Sequence, residues 1–215
     1  KLIFMKNNIL IIESSLNIYW IFMSKIITKK INDFFTYKNK ILFVEDVSVI
    51  DISKRMSTPF YIYSTASLRR RYTKLSESLK NINHSLYFSV KSNSNLAVLR
   101  VLSLLGSGMD VVSGGEYLRA QKAGVPGDKI VFSGVGKTYD EIKLALSNEI
   151  RQFNVESIPE IMLINKIAAT TGKKAPISIR VNPDVDAQTH EKIMTGKLEN
   201  KFGIPINSAL EVYRI

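Results

Sequence analysis

Cysteine is absent from this chain of 215 residues. That excludes disulfides, thiolate metal sites and a cysteine nucleophile. Histidine is scarce, with only His84 and His190, so a histidine-based zinc site has little to build from and no metal is expected. Long apolar runs are also lacking. Residues 9–12 are apolar, but Glu13 follows, and Asn17 interrupts the next run up to Phe22. A spanning helix needs roughly 20 continuous apolar residues, and a secretory signal needs an unbroken apolar region with a small-residue cleavage site. Residues 1–22 are therefore read as a non-native upstream extension with no role in the fold, with Met23-Ser24 as a plausible start.

Lys and Arg number 30 against 19 Asp and Glu, a net charge of +11. A basic balance can serve nucleic acid or an anionic membrane. Here the basic residues are scattered apart from Arg69-Arg70-Arg71, a run in a helix-like stretch that reads as a solvated face. No basic stripe is interleaved with aromatics, so neither nucleic acid nor membrane is expected as a partner. With 45% hydrophobic residues, the chain can bury one sizeable core.

From Ser85 onward the sequence alternates strand and helix. Short apolar strands are predicted at residues 86–91, 109–113, 129–134, 151–155 and 176–182, each read as buried on both faces. Helices are predicted at 96–105, 116–123, 141–147 and 158–171. Ser113-x-x-Glu116, Thr138-x-x-Glu141 and Ser157-x-x-Glu160 have capping-box spacing, and Gly106, Gly124 and Gly172 supply stops. The alternation implies parallel strands with crossover helices. After the first strand the chain reads Lys91-Ser92-Asn93-Ser94-Asn95, without the glycine fingerprint of a doubly wound sheet. A partial (β/α)8 barrel of five to six units is expected over residues 65–215. Residues 40–50 and 59–64 read as strands outside this repeat, with Ser64 or Thr65 capping a helix to about Lys80.

In such a barrel, reactive groups lie where strands end. The polar residues there are Lys91, Ser113, Ser133, Asn154, Arg180 and Asn182. A lysine at an apolar strand end can be desolvated, which makes its amine nucleophilic toward an aldehyde; it can equally snorkel to water. Asp110 and Arg180 are charges within apolar strands and need partners. Asp110 could balance Lys91 or Arg180, or form a structural ion pair. Ser113-Gly114-Gly115 could offer N–H groups to an anion or simply make a tight turn. The long stretch 183–203 contains His190.

Five ordered segments carry a family resemblance: YFSVKSNSN from Tyr87, DVVSGGE from Asp110, KIVFSGVGKT from Lys129, FNVES from Phe153 and RVNPDVDAQTHEKIMTGKLENKFGI from Arg180. Together they resemble the diaminopimelate decarboxylase family, over roughly residues 40–215. The resemblance implies a barrel that holds pyridoxal 5'-phosphate and a β-domain that takes in the strands of residues 23–64. It implies decarboxylation of meso-2,6-diaminopimelate to L-lysine in the cytoplasm, by a homodimer acting on a small amino acid. Lys91 falls on the family's cofactor-holding lysine, Asp110 on an acidic residue beside it, Arg180 on a cofactor-side position and His190 at the substrate mouth. Phe88 replaces the family's usual Tyr, and Ser89 and Ser92 its usual Ala. The family's later histidine, phosphate-loop, ring-nitrogen and cysteine motifs would follow Ile215, so a truncated chain, inactive alone, is the expectation. The alternatives are a non-catalytic remnant and a related ornithine or arginine decarboxylase.

Overall fold

The structure is a computed structural model, and it describes residues 2–4, 9–13, 34–182 and 203–214. The chain divides into two compact units, Lys1–His84 and Ser85–Ile215. Among the described residues, no helix is long and apolar enough to cross a membrane.

The first unit holds two small antiparallel sheets. In one, β1 (Leu2–Phe4), β2 (Ile9–Glu13) and β6 (Phe60–Ser64) lie side by side. Two of these strands come from residues 1–22, the segment read above as an upstream extension. The apolar run Ile9-Leu10-Ile11-Ile12 pairs with Ser64 back to Tyr61, and Glu13 with Phe60, a run rich in the β-branched residues that strands favour. The other sheet comprises β3 (Phe35–Lys38), β4 (Ile41–Val44) and β5 (Val47–Ser48). Asn39 and Lys40 join β3 to β4 with φ of 50° and 66°, the two left-handed residues of a tight hairpin. The single strand expected over 40–50 is thus β4, a turn, β5 and the start of helix α1 (Val49–Ser53), capped by Ser48. Val44, Ile52 and Met56 form the buried cluster, flanked by Val47, Val49, Phe60 and Ile62. Helix α2 (Thr65–Ser78) is capped by Ser64 and falls in this unit. Glu45 Oε1 accepts from Ser64 Oγ at 2.7 Å and Ala66 N–H at 3.0 Å, tying the hairpin to the start of α2.

In the second unit the strand–helix alternation is as expected. In chain order it runs β7 (Tyr87–Ser89), α3 (Leu96–Leu104), β8 (Gly108–Val111), α4 (Gly114–Lys122), β9 (Ile130–Phe132), α5 (Tyr139–Ser147), β10 (Gln152–Val155), α6 (Ile158–Thr171) and β11 (Ile177–Ile179). All five strands are parallel and adjacent in chain order. A doubly wound sheet would reverse that order at a switch point; an unreversed order is the barrel pattern. Arg180 interrupts the last expected strand. Beyond it β12 (Val181–Asn182) pairs in parallel with β13 (Ile204–Pro205), and the short helix α7 (Ala209–Val212) follows.

The strands are not buried on both faces. Met109, Val111, Ile130, Phe132, Phe153 and Val155 are buried. The alternate positions Ser89, Asp110, Val131, Ser133, Gln152 and Asn154 are only half-buried. Short apolar runs do not reveal that asymmetry, because period-2 alternation separates the two faces only once the register is known. On the buried side Tyr117, Phe132 and Phe153 stack with ring centroids 6.5 and 6.2 Å apart. Burial pushes the Tyr117 phenol up to about 12, and its hydroxyl has no hydrogen-bond partner among the described residues.

The three cap motifs resolve differently. Thr138 and Glu141 form a complete capping box. Ser113 and Ser157 accept from the N–H groups of Glu116 and Glu160, but those glutamates reach back one residue further, to the N–H groups of Val112 and Glu156. Glu141 also reaches back to the start of α4, where its Oε1 accepts from Gly114 N–H at 2.6 Å. A Cβ on Gly114 would lie 2.8 Å from Glu141 Cγ, so glycine permits this approach. That hydrogen bond takes up the Gly114 N–H of the turn Ser113-Gly114-Gly115.

Burial pushes the Glu141 carboxyl up, but the N–H groups of Thr138 and Gly114, the Thr138 hydroxyl and the nearby Lys137 charge outweigh it and hold it below its usual range. A carboxyl depressed in the folded state stabilises the fold above its unfolded pKa and loses that contribution as pH falls through the folded value. Glu141→Gln is therefore expected to lower the urea midpoint near neutral pH, with the gap to wild type closing as pH falls through the folded-state value. A gap that stays constant as pH falls would contradict the charge-based account.

Candidate active site

Parallel pairing brings the carboxyl ends of β7 to β11 to one end of the sheet. Lys91 lies there, in the middle of the 3-10 turn Val90–Ser92 that follows β7. Ser92 Oγ donates to the Ser89 carbonyl at 2.7 Å, and Asn93 N–H donates to the Val90 carbonyl at 3.0 Å. Asn95 then caps α3, accepting from the N–H groups of Ala97 and Val98. Sequence reasoning allowed either a desolvated or a water-facing amine. Lys91 is exposed, because the turn leaves the strand after Ser89 and buries Val90 instead. The turn packs beside β8.

Asp110 on β8 is in register with Ser89 on β7. Its Oδ2 accepts from Ser89 Oγ at 3.1 Å and its Oδ1 from Ser133 Oγ at 2.5 Å. Behind Ser133, Asn154 Nδ2 donates to Ser133 Oγ at 2.9 Å, and Gln152 Nε2 donates to Asn154 Oδ1 at 2.7 Å. A polar ladder thus crosses the half-buried face from β7 to β10. Asp110 meets hydroxyls, not the cations considered from sequence.

Arg180 follows β11, at the opposite edge of the sheet from β7. Its Nη1 donates to Glu156 Oε1 at 2.9 Å and Oε2 at 3.1 Å. The Glu156 side chain is 3% exposed against 40% for Arg180, so a buried acid anchors a partly exposed arginine side chain. Ser89 thus links Asp110 to the turn that carries Lys91, while Arg180 pairs with Glu156 at the other edge of the sheet. His190 lies outside the described residues.

Sequence reasoning missed Glu156 and the pair Lys137–Glu160. Lys137 Nζ donates to the carbonyls of Gly134 at 2.7 Å and Asn154 at 2.8 Å and to Glu160 Oε1 at 2.5 Å. It also sits 5.7 Å from the centre of the Phe132 ring. These contacts pin the ends of β9 and β10 to the start of α6. Their signal in the sequence was slight: Glu160 reads as a cap, and Lys137 as a loop residue.

Comparison with known proteins bears on this site. Residues 65–215 match the family described as pyridoxal-dependent decarboxylase, pyridoxal binding domain. The diaminopimelate decarboxylase of Haemophilus influenzae is 49% identical over 183 residues, covering 85% of this chain and 44% of that protein. That of Vibrio cholerae is 48% identical over 184 residues, with the same coverage of 85% and 44%. The chain thus spans under half the length of these curated relatives. Among solved structures, diaminopimelate decarboxylase from M. jannaschii in co-complex with L-lysine gives a TM-score of 0.76 at 36% identity, over 85% of this chain and 44% of that one. The Helicobacter pylori enzyme complexed with L-lysine gives 0.72 at 43% identity, over 77% and 42%. With the family match running from α2 through the whole five-stranded sheet, the chain belongs to the pyridoxal-dependent decarboxylases.

Proposed function

We propose that this chain holds pyridoxal phosphate on Lys91 and serves the decarboxylation of meso-2,6-diaminopimelate to L-lysine. The observation that carries the reading is an exposed primary amine at the carboxyl end of β7, on a turn packed beside the strand of Asp110. The residues present fit such a cofactor. An accessible amine suits an aldehyde, and a carboxylate fixed by two hydroxyls lies on the neighbouring strand, within a half-buried polar face. When bound, pyridoxal phosphate supplies an electron sink for the bond pair left by a departing carboxylate. Lys91 would hold it and, once displaced by the substrate amine, move a proton at the carbon that has lost its carboxylate. Asp110 would keep a fixed negative charge near that lysine. Arg180, held by Glu156, would take the cofactor-side position that the resemblance assigns to it. The resemblance alone assigns His190 to the substrate mouth and makes the working assembly a cytoplasmic homodimer.

The names of the relatives, and the L-lysine in two related structures, support the choice of substrate. This chain spans under half the length of its relatives and is expected to be inactive alone, so the test is carbon dioxide release by a full-length, cofactor-loaded assembly from meso-diaminopimelate, L-ornithine and L-arginine. Release from the first, with L-lysine formed in equal amount, is expected. Preferential release from either of the others would move the chain to a neighbouring branch.

A further inference from the structure

We propose that Ser133, backed by Asn154, is a positioning residue for Asp110, and that the ladder across β7–β10 holds this carboxylate beside the Lys91 turn. The proposal rests on the reading that Lys91 holds pyridoxal phosphate, and deepens it.

An ionised carboxylate only accepts, and a serine hydroxyl has one proton to donate. Ser133 donates it to Asp110 Oδ1, so its oxygen is left to accept from Asn154 Nδ2. Asn154 Oδ1 in turn accepts from Gln152 Nε2. The amide orientations follow from this network, and every donor points toward Asp110. Ser89 completes the arrangement by donating to Oδ2 from the other side. Each carboxylate oxygen is thus held by one hydroxyl from a flanking strand, and rotation of the carboxylate would break both bonds. Donors aligned in series reinforce one another in a low-dielectric setting.

A barrel interior does not need such a ladder for stability, since branched apolar side chains fill it well. Here polar groups occupy the corresponding face of four successive strands. Ser89 also joins the two halves of the site: its hydroxyl holds Asp110, and its carbonyl accepts from Ser92 Oγ in the turn that carries Lys91. Losing Ser133 would free one carboxylate oxygen and let the charge shift relative to that turn.

The experiment measures the apparent Kd for pyridoxal phosphate by absorbance titration. Borohydride reduction and peptide mapping locate the attachment in each variant. Ser133→Ala is expected to weaken Kd by about tenfold, the size of one hydrogen bond to a charged group. Ser133→Thr, which keeps the hydroxyl, should stay within about twofold of wild type. In an Asp110→Asn background, Ser133→Ala should add nearly nothing, because its effect passes through Asp110. A Ser133→Ala protein with a lower Tm but unchanged Kd overturns the proposal, as does an undiminished effect in the Asp110→Asn background. Should Ser133→Ala fail to fold, Asn154→Ala carries the test, and a Kd within about twofold of wild type overturns it. Wild-type protein that carries no cofactor on Lys91 overturns both this proposal and the reading beneath it; normal labelling of wild type with no response to Ser133→Ala overturns the positioning role alone.

Discussion

Replacing Lys91 with alanine is expected to remove covalently held pyridoxal phosphate and to slow decarboxylation by at least about 10²–10⁴-fold, the range for losing a positioned proton-transfer group. Two lysines near the carboxyl ends of the strands show why this residue is singled out. Lys91 is exposed on a turn that its neighbours hold through backbone contacts. The Lys137 side chain is 1% exposed, and its three protons go to two carbonyls and a carboxylate. An aldehyde could reach Lys137 only if that network came apart and left Glu160 unpaired. Borohydride reduction of the loaded protein, followed by proteolysis, should therefore mark Lys91 in wild type and no lysine in the variant. Lys91→Arg keeps the positive charge, but a guanidinium stays protonated and is not a nucleophile, so it should be as inactive as alanine. Substantial activity in the arginine variant, or a label on another lysine, would remove Lys91 from its role.

Much of the second unit was legible because local signals agree there. Short apolar runs alternate with helices whose serine or threonine caps stand three residues before a glutamate, and left-handed glycines end α3, α4 and α6. Agreement between cap, period and stop makes such a repeat readable. The first unit was harder to read. The β3–β4 turn uses Asn39-Lys40 with no glycine, and α1 has only five residues, too few for a helical period. The polar ladder was half visible: Asp110, Ser133 and Asn154 stood out as polar positions in or after apolar strands. Their mutual contacts did not, because the bonded pairs Asp110–Ser133 and Ser133–Asn154 are 23 and 21 residues apart. Partners one repeat away meet only when neighbouring strands come into register. The ion pairs were hidden for the same reason, since Lys137–Glu160 and Glu156–Arg180 span 23 and 24 residues. Each member satisfies some local pattern, and a local pattern that is already satisfied does not prompt a search for a distant partner.

The second large effect is expected at Lys137. Lys137→Met fills a similar volume but leaves the Glu160 carboxylate, whose side chain is 8% exposed, without its counter-charge. It also strips a donor from the carbonyls of Gly134 and Asn154. Breaking one side of a buried pair costs about 3–5 kcal/mol, whereas replacing both sides is often nearly neutral. Urea unfolding should therefore show a loss of about this size for Lys137→Met. Adding Glu160→Gln should recover part of it, because the amide removes the stranded charge while its oxygen can still accept from Glu156 N–H. That recovery would be a coupling between the two sites, measured as the departure from additivity in the double variant. The same substitution reaches the site by a second route. The Asn154 carbonyl held by Lys137 belongs to the residue whose side chain backs Ser133, so cofactor affinity should weaken along with stability. A Lys137→Met protein that loses under about 1 kcal/mol would mean that solvent reaches the pair and that the ends of β9 and β10 are held by other contacts.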